Sequence, residues 1–306
     1  MRVLVRVYVT LLICSMKSVQ LLVICVWSEQ KLVIRFGICY NLMIIDSHLH
    51  LPQPREGKTL ADSKQELLHE LEKSKVDYAI VIPDNTPVSE IGSLDEVLGL
   101  VERDRNLFVM GTIDVQKDRE SHIRKLDFLF QTGRIVAMKI FPGHEAIFPT
   151  DRRLVPVYEL CIKYDLPIVI HTGLGSKIPE PAKYNDPRHI VKIAKRFPTL
   201  KIVIAHYFWP KVEYCYELTK PYENIYFDTS ALADDEVIAE TGLDKIRRVL
   251  TLTVEQRPSN VVFGTDYPMC NIKKHVGLIE SLPIRREFKE MIFSKNSIQL
   301  FKLRLK

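Results

Sequence analysis

A single (β/α)₈ barrel of the α/β class is the fold the sequence predicts, on three observations. From Met43 onward eight short apolar runs recur, each followed by a longer helix-like stretch, the pattern of parallel strands in βαβ units. Residues 43–306 number 264, close to the roughly 250 of such a barrel. No Pro-, Gly- or Ser-rich linker divides them.

The elements follow in order. The runs are MIID at 43, DYAIVIP at 77, LFVMGTID at 107, IVAMKIFP at 135, LPIVIHTG at 166, LKIVIAHY at 200, NIYFDTS at 224 and NVVFGTDYP at 260. They are near-continuous apolar rather than alternating, as strands covered on both faces should be. Between them SKQELLHELEKS, DEVLGLVERD, VPVYELCIKY and PRHIVKIAKRF carry helical patterns. The connection after the fifth run, TGLGSKIPEPAKYNDPRH, is long and rich in Gly and Pro. Long loops in compact domains tend to be functional, so it is a candidate substrate lid.

Composition narrows the function. Hydrophobic residues make up 46% and charged residues 26% of the 306, the balance of a globular protein with a large core. Of the net charge of +5, residues 1–42 hold +4 through Arg2, Arg6, Lys17, Lys31 and Arg35 against Glu29, which leaves +1 for residues 43–306. That region has no Lys/Arg run and no aromatic-basic repeat, so the footprint of a nucleic-acid binder is missing and a small-molecule substrate is expected.

The first 42 residues differ in kind. Sixteen of the 22 residues from Val7 to Ser28 are apolar, enough for a membrane anchor. Lys17 near the middle opposes that reading at a cost of roughly 2.5–3.5 kcal/mol, and no alanine offers a signal-cleavage site. The competing reading makes Met43 the natural first residue. The expected organisation is therefore a hydrophobic extension, 1–42, and a barrel, 43–306, cytoplasmic unless residues 7–28 anchor it to a membrane. Cys14, Cys25 and Cys39 lie in the extension, and Cys161, Cys215 and Cys270 are scattered singly. Without a disulfide framework or a CxxC pair, a reducing compartment is expected.

Barrel chemistry collects at the C-terminal ends of the strands. There the runs end in His48 and His50, Lys139, His171, His206 and Asp266. In MIIDSHLH the two histidines are one residue apart, so on an extended chain they face the same way and can grip one metal ion. Each residue alone has an ordinary explanation: a hydrogen-bonded structural histidine, Asp266 as a helix cap, Lys139 as the counter-ion of a buried carboxylate. That leaves unexplained why four of the nine histidines fall on one rim. His69, His122 and His189 sit in helical stretches and read as structural, while His144 and His275 remain open as loop residues near the mouth. Arg55, beyond the first strand, and Trp209, beyond the sixth, are candidates to supply a cation and an aromatic surface to the substrate, or are ordinary surface residues.

From about Met43 to Phe301 the series IDSHLH, VAMKIFPG, PIVIHTG, YNDPRHIVKIAKRFPTLKIVIAH, NIYFDTS, VVFGTDYP and IFSKNSIQLF resembles the amidohydrolase superfamily, in its amidohydrolase-related branch of metal-dependent hydrolases and decarboxylases. The resemblance implies that His48, His50, His171 and Asp266 ligate the metal. It implies that His206 is the catalytic base or polarises the substrate, and that Asp266 also shuttles a proton. Asp46 matches the acidic residue before HxH, with a structural role or that of fixing the His48 tautomer. Lys139 divides the reading. Carboxylated by CO₂, it would bridge two metals, with His48, His50 and Asp266 on one and His171 and His206 on the other. As an ammonium it would bind an anion, and one metal is favoured.

Such a donor set suits Zn²⁺, with Mn²⁺ or Fe²⁺ as alternatives. Zn²⁺ lowers the pKa of water from about 15.7 to about 7, which directs hydroxide at an amide, ester or lactone carbonyl. The expectation is a metal-dependent hydrolase of a C–N or C–O bond. The alternative is a nonoxidative decarboxylase on the same ligands. A TatD-like nuclease also begins with a DSHxH-type motif, but it would want a glutamate where Lys139 stands. A homo-oligomer is compatible with all three.

Overall fold

The computed structural model describes residues 15–16, 19–28, 31–40, 42–86, 89–115, 119–173 and 182–305. The chain divides into two units, Met1–Met43 and Ile44–Lys306. In the first, strands β1 (Ser15–Met16), β2 (Val19–Ser28) and β3 (Lys31–Tyr40) form an antiparallel sheet in that order. β2 and β3 pair over their full length, from Val19 opposite Tyr40 to Ser28 opposite Lys31. Part of the 7–28 stretch weighed as an anchor is thus strand, consistent with its β-branched and aromatic content, and the rest lies largely outside the described residues. Among the described residues no helix is long and apolar enough to cross a membrane.

The second unit holds all eight predicted strands: β4 (Ile45–Leu49), β5 (Tyr78–Val81), β6 (Leu107–Thr112), β7 (Ala137–Ile140), β8 (Ile168–Ile170), β9 (Ile202–Ile204), β10 (Ile225–Asp228) and β11 (Val261–Val262). Each pairs in parallel with the next. Between β11 and β4 the sheet is nearly closed by backbone hydrogen bonds, from Ser47 N to Phe263 O at 2.9 Å and from His50 N to Tyr267 O at 2.7 Å.

Helices between the strands cover the outside. Helix α1 (Leu60–Ser74) starts at a capping box in which Asp62 N donates to Thr59 Oγ1 at 3.3 Å and Thr59 N donates to Asp62 Oδ2 at 2.8 Å. It buries Leu67 and Leu71 and stops at the left-handed Lys75. α2 (Leu94–Val101), α3 (Arg119–Gln131) and α4 (Val155–Tyr164) follow β5, β6 and β7. α5 (Pro187–Arg196), capped by Asp186, turns Ile190, Val191, Ile193 and Ala194 inward. α6 (Val212–Thr219), α7 (Asp235–Thr241), α8 (Leu243–Gln256) and α9 (Ile272–Glu280) complete the ring, followed by the short α10 (Arg286–Glu290) and α11 (Asn296–Leu300).

The floor of the barrel is apolar, with Ile45, Ile80, Met110, Ala137, Val169 and Val262 in one cluster with Leu300, Phe301 and Leu303. Side chains two apart on a strand share a face. Lys139 therefore stands above Ala137, and His171 above Val169. The apolar layer and the polar layer are built by the same strands, which is how a hydrophobic barrel carries a polar mouth.

Candidate metal centre

Five strands, β4, β7, β8, β9 and β11, bring the polar layer together at their C-terminal ends. His48 lies in β4 and His50 directly follows it, and a register shift between Asp46 and Leu49 interrupts the pairing of β4 with β5. Their Nε2 atoms lie 3.5 and 3.6 Å from the same oxygen, Asp266 Oδ1. His48, His206 and Asp266 offer one ligand atom each, all within 4.8 Å of one another. The His171 ring sits 4.9 Å from that of His206 and 4.4 Å from that of His144. All of the residues assigned to the metal from sequence thus converge, and His206, assigned as base, belongs to the tightest group.

The backbone carries strain here. His206, Tyr207 and Phe208 have φ of 60°, 53° and 54°, and Asp266 has 69°. For residues other than glycine the left-handed region costs roughly 1–2 kcal/mol each. Surrounding bonds hold them in place: His206 N donates to Asp228 Oδ1 at 3.0 Å, Phe208 N donates to Thr172 Oγ1 at 2.9 Å, and the Tyr207 ring stacks on Phe227 at 4.3 Å. Strain of this kind clusters at functional sites. At Gly264 a Cβ would lie 2.8 Å from His48 Cβ, so only glycine lets β4 approach here.

Hydrogen bonds decide which ring nitrogens remain as donors to a metal. His50 Nδ1 donates to Ile82 O at 2.8 Å, because a carbonyl can only accept. His48 Nδ1 bonds Asp228 Oδ2 at 2.6 Å. Both Nε2 lone pairs therefore face the mouth. The Ser230 hydroxyl donates to Asp228 Oδ1 and lies 2.9 Å from His206 Nδ1. With its proton so engaged, Ser230 accepts from His206 Nδ1 and leaves the Nε2 lone pair of that ring free.

Burial lowers the pKa of His50, His171 and His206 well below the ordinary imidazole value, and neighbouring histidines and Lys139 add to the shift. Desolvation brings Lys139 down to about 8, against the pull of Asp228 and Asp266. Its Nζ lies 3.2 Å from His48 Nε2. Burial raises Asp266, with His48 and Lys139 opposing. At Asp228 burial acts upward, but the neighbouring His48 and its hydrogen bond, with His206 and the Ser230 hydroxyl, outweigh it and hold the carboxyl well below the usual carboxylate range.

Within this pocket, His171 Nε2 and Asp266 Oδ1 are buried and find no hydrogen-bond partner among the described residues. Unpaired buried donors and acceptors are expensive. The imidazoles of His50, His171 and His206, kept neutral by burial, and a carboxylate with orphaned atoms in one pocket fit a divalent ion with nitrogen and oxygen ligands.

Other expectations fare differently. Asp46 does not hold the His48 ring: its carboxylate accepts from His48 N at 3.1 Å, Thr265 N at 3.1 Å and Thr265 Oγ1 at 2.6 Å, and so fastens the β4–β11 seam. The ring is held by Asp228. His275 is no loop residue; it is buried in α9, where its Nε2 accepts from Ala233 N at 3.2 Å. The exposed Arg55 pairs with Glu66 of α1 at 3.2 Å. Trp209 packs on Gly173 beyond His171, where an added Cβ would come within 3.1 Å of its ring. Much of the expected lid, 174–181, lies outside the described residues. Asp228 and Ser230 were not singled out from sequence, although Asp228 ends the seventh run, NIYFDTS, in the position that marks the other rim residues.

A family profile described as amidohydrolase matches residues 45–303. A search of curated proteins finds no match. Among solved structures, an uncharacterised TIM-barrel protein from Bordetella bronchiseptica is 22% identical with a TM-score of 0.68, covering 85% of this chain and 99% of its own. 5-Carboxyvanillate decarboxylase from Sphingomonas paucimobilis is 16% identical with a TM-score of 0.63, covering 86% and 100%. An amidohydrolase from Burkholderia multivorans with bound zinc is 14% identical with a TM-score of 0.62, covering 86% and 100%. At these identities the structural likeness shows the barrel fold alone.

Proposed function

Because the chain belongs to the amidohydrolase family, we propose that it is a metal-dependent hydrolase cleaving an amide, ester or lactone bond of a small carboxylic acid. The observation that carries the reading is the buried set His48, His50, His171, His206 and Asp266, with His171 Nε2 and Asp266 Oδ1 unpaired. A divalent ion bound there, Zn²⁺ by donor type, supplies Lewis-acid activation of water and of the carbonyl. His206, its Nδ1 proton held by Ser230, presents Nε2 as proton acceptor, and Asp266 returns a proton to the leaving group. Lys139, buried and at ion-pair distance from no carboxylate among the described residues, binds a substrate carboxylate.

That last feature also supports a second reading, nonoxidative decarboxylation, in which Lys139 orients the carboxylate that is lost as CO₂ and a proton from water, relayed through His206 Nε2, takes its place on the carbon. One experiment separates the two: incubate metal-loaded protein with a panel of lactones, amides and aromatic carboxylates, and follow acid release and CO₂ together. Acid without CO₂ identifies the hydrolase. Stoichiometric CO₂ identifies the decarboxylase. No turnover of any kind by protein carrying a full complement of metal would remove both readings.

A further inference from the structure

The end of the barrel opposite the metal centre holds a concavity that the reaction does not use. It measures about 650 Å³ and lies where β6 and β7 begin, between the end of α2 and the C-terminal segment. A second hollow of about 330 Å³ adjoins it, since both are lined by Phe108, Gly133, Val136 and Arg304. The floor is apolar, with Val109 and Val136 buried and Phe108 half-buried.

The charge around that floor is unbalanced. Of the two lining acids, Asp104 is taken by Lys64 at 3.0 Å and Glu102 faces Arg134 at 3.9 Å. Arg103, Arg105 and Arg304 line the same hollow, are exposed, and have no hydrogen bond or ion pair among the described residues. Three uncompensated guanidiniums around an apolar concavity repel one another and favour an anion between them. Their planar forks suit the paired oxygens of a phosphate or carboxylate. The volume lies within the range of about 300–1,000 Å³ that holds small ligands.

We infer that the N-terminal end of this barrel is a second ligand site, one that takes a small organic anion with its phosphate or carboxylate on Arg103, Arg105 and Arg304 and its apolar body against Phe108 and Val136. The inference is independent of the reaction at the other end.

Calorimetric titration of the full chain with phenyl phosphate and with inorganic phosphate tests it, in three proteins: metal-loaded wild type, metal-loaded Arg105→Gln/Arg304→Gln, and His48→Ala/His50→Ala, which lacks the metal centre. The expected result is saturable phenyl phosphate binding in the wild type and the histidine variant, weakened tenfold or more in the arginine variant. Inorganic phosphate, lacking the apolar body, should bind more weakly than phenyl phosphate. Both arginines are exposed, so an unchanged thermal melt should accompany the loss. Absence of binding, binding retained in the arginine variant, or binding lost with the histidines would overturn the site. Equal affinity for the two probes would overturn its apolar half.

Discussion

At the residue scale the site depends on which side chains hold the histidine rings. Asp228 grips His48 Nδ1 at 2.6 Å, and Ser230 grips His206 Nδ1 at 2.9 Å. Removing an outer partner of a metal-binding histidine typically costs 10–100-fold in metal affinity. Asp228→Asn should therefore weaken metal binding by about 10–100-fold with the barrel still folded. Ser230→Ala should leave metal content unchanged and reduce turnover, because it frees the ring assigned as base. A metal titration of both variants decides: equal loss of metal in the two would mean that Ser230 serves the metal, through Asp228 and His48 or through His206 as a ligand, and not the base alone. A second change acts by volume. Gly264→Ala places a methyl where only 2.8 Å separates it from His48 Cβ, so strand β4 must shift, and the melting temperature and metal occupancy should fall together. A variant that binds metal normally would show that the seam is soft. The rim histidines were legible in the sequence because each ends an apolar run. Asp228 was not, since its partner His48 lies 180 positions away and an aspartate at a strand end also reads as a cap.

At the scale of elements, the eight strands were readable because parallel strands covered on both faces are written as unbroken apolar runs. Less readable were the places where tertiary bonds set the backbone: the left-handed turn His206–Phe208, fixed by Asp228 and Thr172 from neighbouring strands, and α9, which carries His275 inward. The segment between β7 and α4 offers a test of such packing. Its Glu145 is raised to about 7, first by burial and then by Asp114 and Asp84. A carboxyl whose folded pKa exceeds its unfolded value binds more protons in the native state, so its contribution is present below about 4.5 and lost as pH rises through about 7. Wild type should thus lose more stability between pH 5 and pH 7.5 than Glu145→Gln does. Chemical denaturation at the two pH values measures this, and parallel losses would place the titration elsewhere.

On the scale of the whole molecule, the proposed chemistry is confined to one of two units. Every residue assigned to the metal or the proton lies at or beyond His48, and the contacts that position them come from the unit Ile44–Lys306. The barrel's own closure, through Ser47 to Phe263, His50 to Tyr267 and Asp46 to Thr265, likewise begins after Met43. A chain beginning at Met43 should therefore express as a cooperatively folding protein with full metal occupancy. Because a ligand that binds only the native state adds RT ln(1 + [L]/Kd), about 4 kcal/mol at a thousandfold excess over Kd, removing the metal with a chelator should lower its melting temperature as it does that of the full chain. Equal melting shifts in the two proteins would make residues 1–42 dispensable for site and fold alike. A truncated chain that aggregates, or that keeps its fold but no longer responds to chelation, would instead assign those residues a part in completing the barrel.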